Sequence, residues 1–315
     1  MVREDAPGAR WQSLVEWAWP AYLAWFLREG EAARPSYLEC RAALKRHMPE
    51  LLDTYDRLVA LLGGGDVAAR LLSLYRPTPY LTGCSQAVWR DPPALVRNYD
   101  YSPHLCEGSL LRTEWHGRPV MAMSDCLWGA LDGVNGDGLC VALAFGGSKA
   151  VGDGFGIPLA LRYVLEFCST TKEAVKALTR IPVHMAYNVT VVDEKGRHAT
   201  IRLAPGRTPE VTDRLVATNH QGEIRWAEHA ALTRTEEREA ALEACLGGGV
   251  RSLAALVDAF LSPPIYSSAF RRGWGTLYTA SYIPAARSAT FAWPHARVVQ
   301  ALDHFVERDV PVVYS

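Results

Sequence analysis

Two kinds of patterning meet near residue 77, and the order in which they alternate afterwards restricts the fold more than anything else in the chain. Helical spacing comes first: Trp11, Val15, Trp19, Leu23 and Phe26 recur every three or four positions over residues 10–29. Residues 37–48 and 49–63 read as two more helices, punctuated by Pro49 and by Gly63-Gly64-Gly65. Asp66 is placed to cap a fourth, Val67 to Tyr75. The spacing favours packing of the tryptophans against a main body over a ligand patch. Pro77 and Pro79 then stop the helical run.

Beyond them the chain reads as strands, two helices, strands, two helices, strands. Short apolar or alternating runs occupy Ser85–Trp89, Ala94–Tyr99, Leu110–Trp115 and Pro119–Met123. Ala130–Val134 and Leu139–Phe145 flank Asn135-Gly136-Asp137-Gly138, the strongest hairpin signal present. Pro158–Cys168 and a segment opened by Thr170 and Glu173, spaced as a capping box, are helical. Strands return at Ala186–Asp193, His198–Leu203 and Arg214–Thr218. Helices follow at Glu236–Cys245 and Ser252–Phe260, and a hairpin at Gly275–Tyr282 and Ala289–Trp293. A doubly wound parallel sheet would need strict strand–helix alternation. These blocks instead predict an α+β fold, largely antiparallel sheets with helices outside them.

A formal net charge of −1 gives no electrostatic case for nucleic acid or an anionic membrane as partner. The apolar run Trp17–Phe26 is shorter than the about 20 residues that span a bilayer, and it contains Pro20. No basic head and apolar core follow Met1, so a cytoplasmic protein is expected. The seven cysteines are an odd number and none form a C-x-x-C pair, so neither a disulfide framework nor a zinc site is indicated. His104 and Cys106 lack a second pair of ligands. Gly152-Asp153-Gly154-Phe155-Gly156 lacks the spacing of a phosphate loop and reads as a turn. No metal or cofactor is expected.

One cysteine stands apart. Cys84 follows Gly83 at the helix–strand boundary, and Arg97 and Asp100 lie 13 and 16 residues further on. If Ser85–Trp89 pairs with Ala94–Tyr99, both charged residues return to the Cys84 end of the ladder. Arg97 would favour the thiolate by proximity, and Asp100 would orient an ammonium. Gly83 leaves its carbonyl sterically open to attack by the thiol. Cutting the Gly83–Cys84 bond would free an α-amine, whose pKa of about 8 lets it serve as base for its own thiol. A distant histidine such as His220 is an alternative activator, and a non-catalytic domain that has kept the fold is another reading.

Gly83-Cys84 with Arg97-Asn98-Tyr99-Asp100-Tyr101 resembles the N-terminal-nucleophile hydrolases. It is most similar to the autoproteolytic branch typified by acyl-CoA:6-aminopenicillanate (isopenicillin N) acyltransferase, with choloylglycine hydrolases and penicillin V acylases further off. Asp132-Gly133-Val134-Asn135-Gly136-Asp137-Gly138-Leu139, Asn188 to Gly196, Ala217-Thr218-Asn219-His220 and Gly275 to Ser281 resemble further motifs of that group, in its order. The resemblance implies a four-layer αββα sandwich over residues 84–315, with residues 1–83 a helical propeptide kept as a small subunit. It implies self-cleavage between Gly83 and Cys84, with Cys84 as nucleophile and base, Arg97 and Asp100 in support, and Asn219 as an oxyanion contact. The implied substrate is a small acyl amide or acyl thioester, processed through an acyl-Cys84 intermediate by hydrolysis or transfer. Self-association is left open. Ala144 stands where several relatives carry an asparagine.

Overall fold

The computed structural model describes residues 1–314. The N-terminal helices form where the spacing places them: α1 (Ala9–Phe26), α2 (Tyr37–His47), α3 (Leu52–Leu61) and α4 (Asp66–Leu72). Ser36 and Glu39 close a capping box at α2. Asp66 is the first residue of α4, and its N-cap is Gly65. This region is not purely helical. Val2–Glu4 forms strand β1, which pairs in parallel with β4 (Leu110–Thr113). Trp11 donates through Nε1 to the Leu127 carbonyl, and Trp128 returns the contact to the Leu72 carbonyl, each at 2.8 Å. These tryptophans pin residues 1–75 into the main core, whereas Trp17 stays mostly exposed.

The hairpin that carries Cys84 is β2 (Gly83–Arg90) with β3 (Pro93–Tyr101). Next come β5 (Val120–Asp125), β6 (Gly129–Asn135) and β7 (Cys140–Phe145), then α5 (Ile157–Phe167) and α6 (Thr171–Arg180). The capping box at Thr170 and Glu173 forms as its spacing predicts. Next are β8 (Tyr187–Val192), β9 (His198–Leu203), β10 (Glu210–Thr212) and β11 (Val216–Ala217). The chain then forms α7 (Ala227–Thr233), α8 (Thr235–Ala244), α9 (Leu253–Phe260), β12 (Gly275–Ile283), β13 (Ser288–Trp293) and β14 (Ala296–Ala301). The edge strands β1, β10 and β14 and the short helix α7 lie outside the elements read from the sequence.

An eight-stranded sheet runs β1-β4-β5-β6-β7-β8-β9-β10, and a six-stranded sheet runs β11-β2-β3-β12-β13-β14. Apart from the β1–β4 pair, all pairings are antiparallel. β2 and β3 lie against β7 and β8, so the two sheets face each other. α5 and α6 cover the outside of the larger sheet, and α8 and α9 the outside of the smaller. That is the αββα layering. Alternation along β2 and β3 divides their side chains accordingly. Cys84, Val88, Leu95 and Tyr99 join the core between the sheets; Ala87 and Val96 join the cluster under α8 and α9.

Candidate active site

Register brings the hairpin's polar residues together. Gly83 pairs with Asp100, Cys84 with Tyr99 and Gln86 with Arg97. Cys84 and Arg97 therefore share the inner face one step apart, and Asp100 points to the outer face. Residues Thr82 to Gln86 are buried, so the Gly83–Cys84 bond lies inside a paired strand.

On the inner face, Arg97 donates through Nη2 to Cys84 Sγ at 3.3 Å. Its Nη1 pairs with Asp132 Oδ2 and donates to the Tyr278 hydroxyl at 2.9 Å. Tyr278 and Tyr282 both donate to Asp132, the former at 2.6 Å. Arg97 and Asp132 are wholly buried. Burial works against the Arg97 charge, yet Tyr278, Cys84 and Asp132 hold its pKa well above the ordinary range. Burial pushes the Cys84 thiol up, and Arg97 opposes that rise. In the continuous chain the thiol is protonated at neutral pH, beside a cation ready to stabilise its anion.

The outer face is built around Arg238, a residue of α8. Arg238 donates to the Cys84 carbonyl and Ser85 Oγ, each at 2.7 Å, and to Asn219 Oδ1 at 2.6 Å. Its Nε donates to the Thr233 carbonyl at 2.6 Å, and Asp100 Oδ2 lies 3.4 Å from Nη1. Thr276 donates to the other Asp100 oxygen at 2.7 Å. Burial raises the Asp100 pKa against the pull of Arg238. The Asp100 carboxylate thus meets Arg238 and Thr276, and Asp100 bears on the Cys84 thiol through its backbone N–H.

Asn219 follows β11 and is fixed at both ends of its amide. Oδ1 accepts from the Cys84 backbone N–H at 3.0 Å, and Nδ2 donates to the Phe145 carbonyl at 3.0 Å. In the continuous chain Asn219 therefore holds the nitrogen of residue 84, with its donor engaged elsewhere. His220 does not meet the thiol. Its ring nitrogens face Thr235 Oγ1 at 3.0 Å and Glu239 at 3.1 Å, so a Cys84–His220 pair is not what the fold assembles. Gly83 has a steric reason of its own: a Cβ there would come within 2.5 Å of the Trp274 ring. Ala144 pairs with Asn188, whose Nδ2 is taken by the Thr218 and His220 carbonyls. Gly154 packs on the Val183 backbone, 2.4 Å from where a Cβ would stand, so that loop's glycine serves close packing.

Arg238 and Asp132 are the polar partners that sequence reasoning missed. Asp132 opens the Asp132–Leu139 motif, where nothing in the spacing singles out a role for it. Arg238, between Glu237 and Glu239, carries the pattern of a solvated helix face.

The sequence profile of the acyl-coenzyme A:6-aminopenicillanic acid acyl-transferase family matches residues 89–297. With about two thirds of its length matched, the chain belongs to that family. Among curated proteins none matches it. Three solved structures are similar in shape. A mutant of conjugated bile acid hydrolase from Clostridium perfringens is 13% identical, with 70% of this chain and 92% of that one covered and a TM-score of 0.49. A Caenorhabditis elegans N-acylethanolamine-hydrolyzing acid amidase ortholog is 14% identical, with 70% and 96% covered and a TM-score of 0.48. Penicillin V acylase from Agrobacterium tumefaciens is 14% identical, with 69% and 84% covered and a TM-score of 0.45. At such identities and scores these likenesses carry no weight for the chemistry.

Proposed function

We propose that the protein is a self-processing cysteine amidohydrolase or acyltransferase acting on a small acyl amide or acyl thioester, with Cys84 as nucleophile. The observation that carries this reading is the double grip on residue 84. Its sulfur lies 3.3 Å from Arg97 Nη2, while its nitrogen is held by Asn219 Oδ1 at 3.0 Å. These are the two atoms that self-cleavage and acyl transfer use, and each has its own buried partner.

In self-cleavage the Cys84 sulfur bonds to the Gly83 carbonyl carbon, the C–N bond breaks, and the thiol proton passes to the departing nitrogen. Water then hydrolyses the thioester, leaving a Gly83 carboxylate, a free thiol and a free α-amine. One feature favours this route over an external protease. Gly83 and Cys84 are buried within a paired strand, whereas proteases favour exposed loop tips. Residues 1–83 would stay bound after the cut, since β1 is hydrogen-bonded to β4 and Trp11 lies in the shared core. Substrate would repeat the first half-reaction. The amine takes the thiol proton, the sulfur bonds to the acyl carbon, and the substrate's C–N or C–S bond breaks, the amine or thiol leaving with that proton. Water or an acceptor amine then attacks the thioester, its proton returns through the α-amine to the sulfur, and the acid or new amide is released. Arg97 stabilises the thiolate, Arg238 and Asp100 hold the backbone and Asn219 in place, and an oxyanion role for Asn219 requires Nδ2 to leave the Phe145 carbonyl.

The test is trapping. Mixing the purified protein with an acyl thioester should add one acyl mass to a peptide beginning at Cys84, released by hydroxylamine, with none added in Cys84→Ala. An acyl mass on any other residue, or its persistence in Cys84→Ala, would overturn the assignment.

A further inference from the structure

A cavity of about 200 Å³ opens between α1 and the end of β3, and nothing in the scheme above uses it. Its walls include Trp17, Trp25, Tyr80 and Tyr101. Trp25 stands edge-on to both Tyr22 and Tyr80, at 5.9 Å between ring centroids and 80° between planes in each case. The rings thus meet as near-perpendicular walls. The floor is acidic. Tyr22 bridges Glu107 and Asp125, with its hydroxyl 3.3 Å from Asp125 Oδ1, and the Leu127 N–H donates to Glu107 at 2.7 Å. Among the described residues no lysine, arginine or histidine pairs with either carboxyl, although the chain pairs its other buried carboxyls Asp100, Asp132, Glu166 and Asp193 with arginine. Burial, with repulsion from Glu107, lifts the Asp125 carboxyl well above the ordinary carboxylate range.

Three buried polar groups beside the cavity also lack partners, one of them a donor, the indole N–H of Trp25. The hydroxyl of Tyr99, wholly buried, makes no hydrogen bond; the ring lies 5.6 Å from Tyr101, and the phenol feels Asp125 and Cys106 of the cavity wall. The hydroxyl of Tyr80, in the wall itself, is buried and equally unpartnered. Phenol oxygens can accept, ring faces attract cations, and a carboxyl pair without a counter-charge completes the set.

We propose that this cavity binds an organic ammonium group, held between the Glu107–Asp125 pair and the rings of Trp17, Trp25, Tyr80 and Tyr101. Tyr99 and Tyr101 continue the inner face of β3 that carries Arg97 to Cys84, so the ligand lies in line with the nucleophile. Tyr80, three residues before the Gly83 carbonyl, belongs to the acyl side of the bond that would be cut. The substrate class that follows is an amide or thioester whose acyl part ends in an amine or quaternary ammonium. That extension rests on the acyl-Cys84 reading; the binding does not.

Calorimetric titration with choline, against its uncharged isostere 3,3-dimethylbutan-1-ol, separates the two. Choline should bind about tenfold more tightly or better, the ratio expected for a cation at a partly desolvated aromatic site. Asp125→Asn with Glu107→Gln should erase that preference. Trp17→Ala, at a mostly exposed position, should weaken choline several-fold while leaving the circular dichroism unchanged. Cys84→Ala should bind choline as the parent does, so the site stands or falls apart from the catalytic reading. Equal binding of the two probes, no choline binding, or indifference to the carboxyl substitutions would overturn the proposal.

Discussion

The two faces of the β2–β3 hairpin each bury one arginine beside residue 84, and they use it differently. On the inner face Arg97 reaches the sulfur and is itself gripped by Asp132 and Tyr278, with Tyr282 donating to the same aspartate. On the outer face Arg238 never touches the sulfur; it gathers the Cys84 carbonyl, Ser85, Asp100 and Asn219. The inner arginine opposes the rise that burial imposes on the thiol pKa. The outer one sets the geometry of the chain on either side of it. One face therefore bears on reactivity, the other on alignment, and substitutions should separate the two.

The largest effect is expected at Arg238→Met. It strips the Cys84 and Thr233 carbonyls, Ser85, Asp100 and Asn219 of their donor. The buried Cys84 and Thr233 carbonyls and Ser85 are left short of a donor, a loss of about 3–5 kcal/mol of stability. Cleavage should fail in whatever folded fraction remains, read by denaturant melts alongside electrophoresis. Asp132→Asn keeps the shape on the inner face but removes the anion facing Arg97, and about 2–3 kcal/mol should be lost. Here folded protein should still be cut, and its thiol should alkylate at a lower pH than the parent's, because no other anion then competes for the Arg97 charge. If alkylation shifts upward, Asp132 is not what divides the Arg97 charge.

Gly83→Ala tests the bond between the faces. The added methyl meets Trp274, at a cost of about 1–3 kcal/mol if the ring cannot yield. Trp274→Ala in the same chain should restore both stability and cleavage, and no restoration would assign glycine's role to backbone freedom instead. The smallest effect concerns Asp100. Its pKa is higher folded than unfolded, so the folded state holds the proton more tightly and stability falls as pH rises from the ordinary carboxylate range through the folded value. In Asp100→Asn that fall should vanish. Parent and variant should melt together at acid pH, with the variant equal or slightly ahead at neutral pH. A variant that is weaker only at neutral pH would show that the Arg238 pair outweighs burial.

The difference between the faces also explains what the sequence made legible. Cys84, Arg97 and Asp100 sit on one hairpin, so pairing across Asp91-Pro92-Pro93 is enough to bring them together. The Asn135–Gly138 turn is equally local: Asn135 Oδ1 accepts from the Asp137 and Leu139 amides at 3.1 and 3.0 Å. Arg238 depends on α8 docking across the outer face, a contact spanning 154 residues to Cys84, and helical periodicity carries no such information. Likewise β1 and β10 are three-residue strands whose existence depends on the sheet edges they join. Spacing places Asp100 near the cysteine, while alternation turns its side chain to the opposite face.

On the proposed mechanism, Cys84 becomes a chain terminus by its own chemistry. Intact mass and N-terminal sequencing of freshly purified protein test it most directly. The expected result is two pieces that copurify, residues 1–83 and 84–315, the larger beginning Cys-Ser-Gln, and a Cys84→Ala protein that stays whole. A single uncut chain that nonetheless transfers or hydrolyses acyl groups, or a Cys84→Ala protein cut at the same bond, would contradict it.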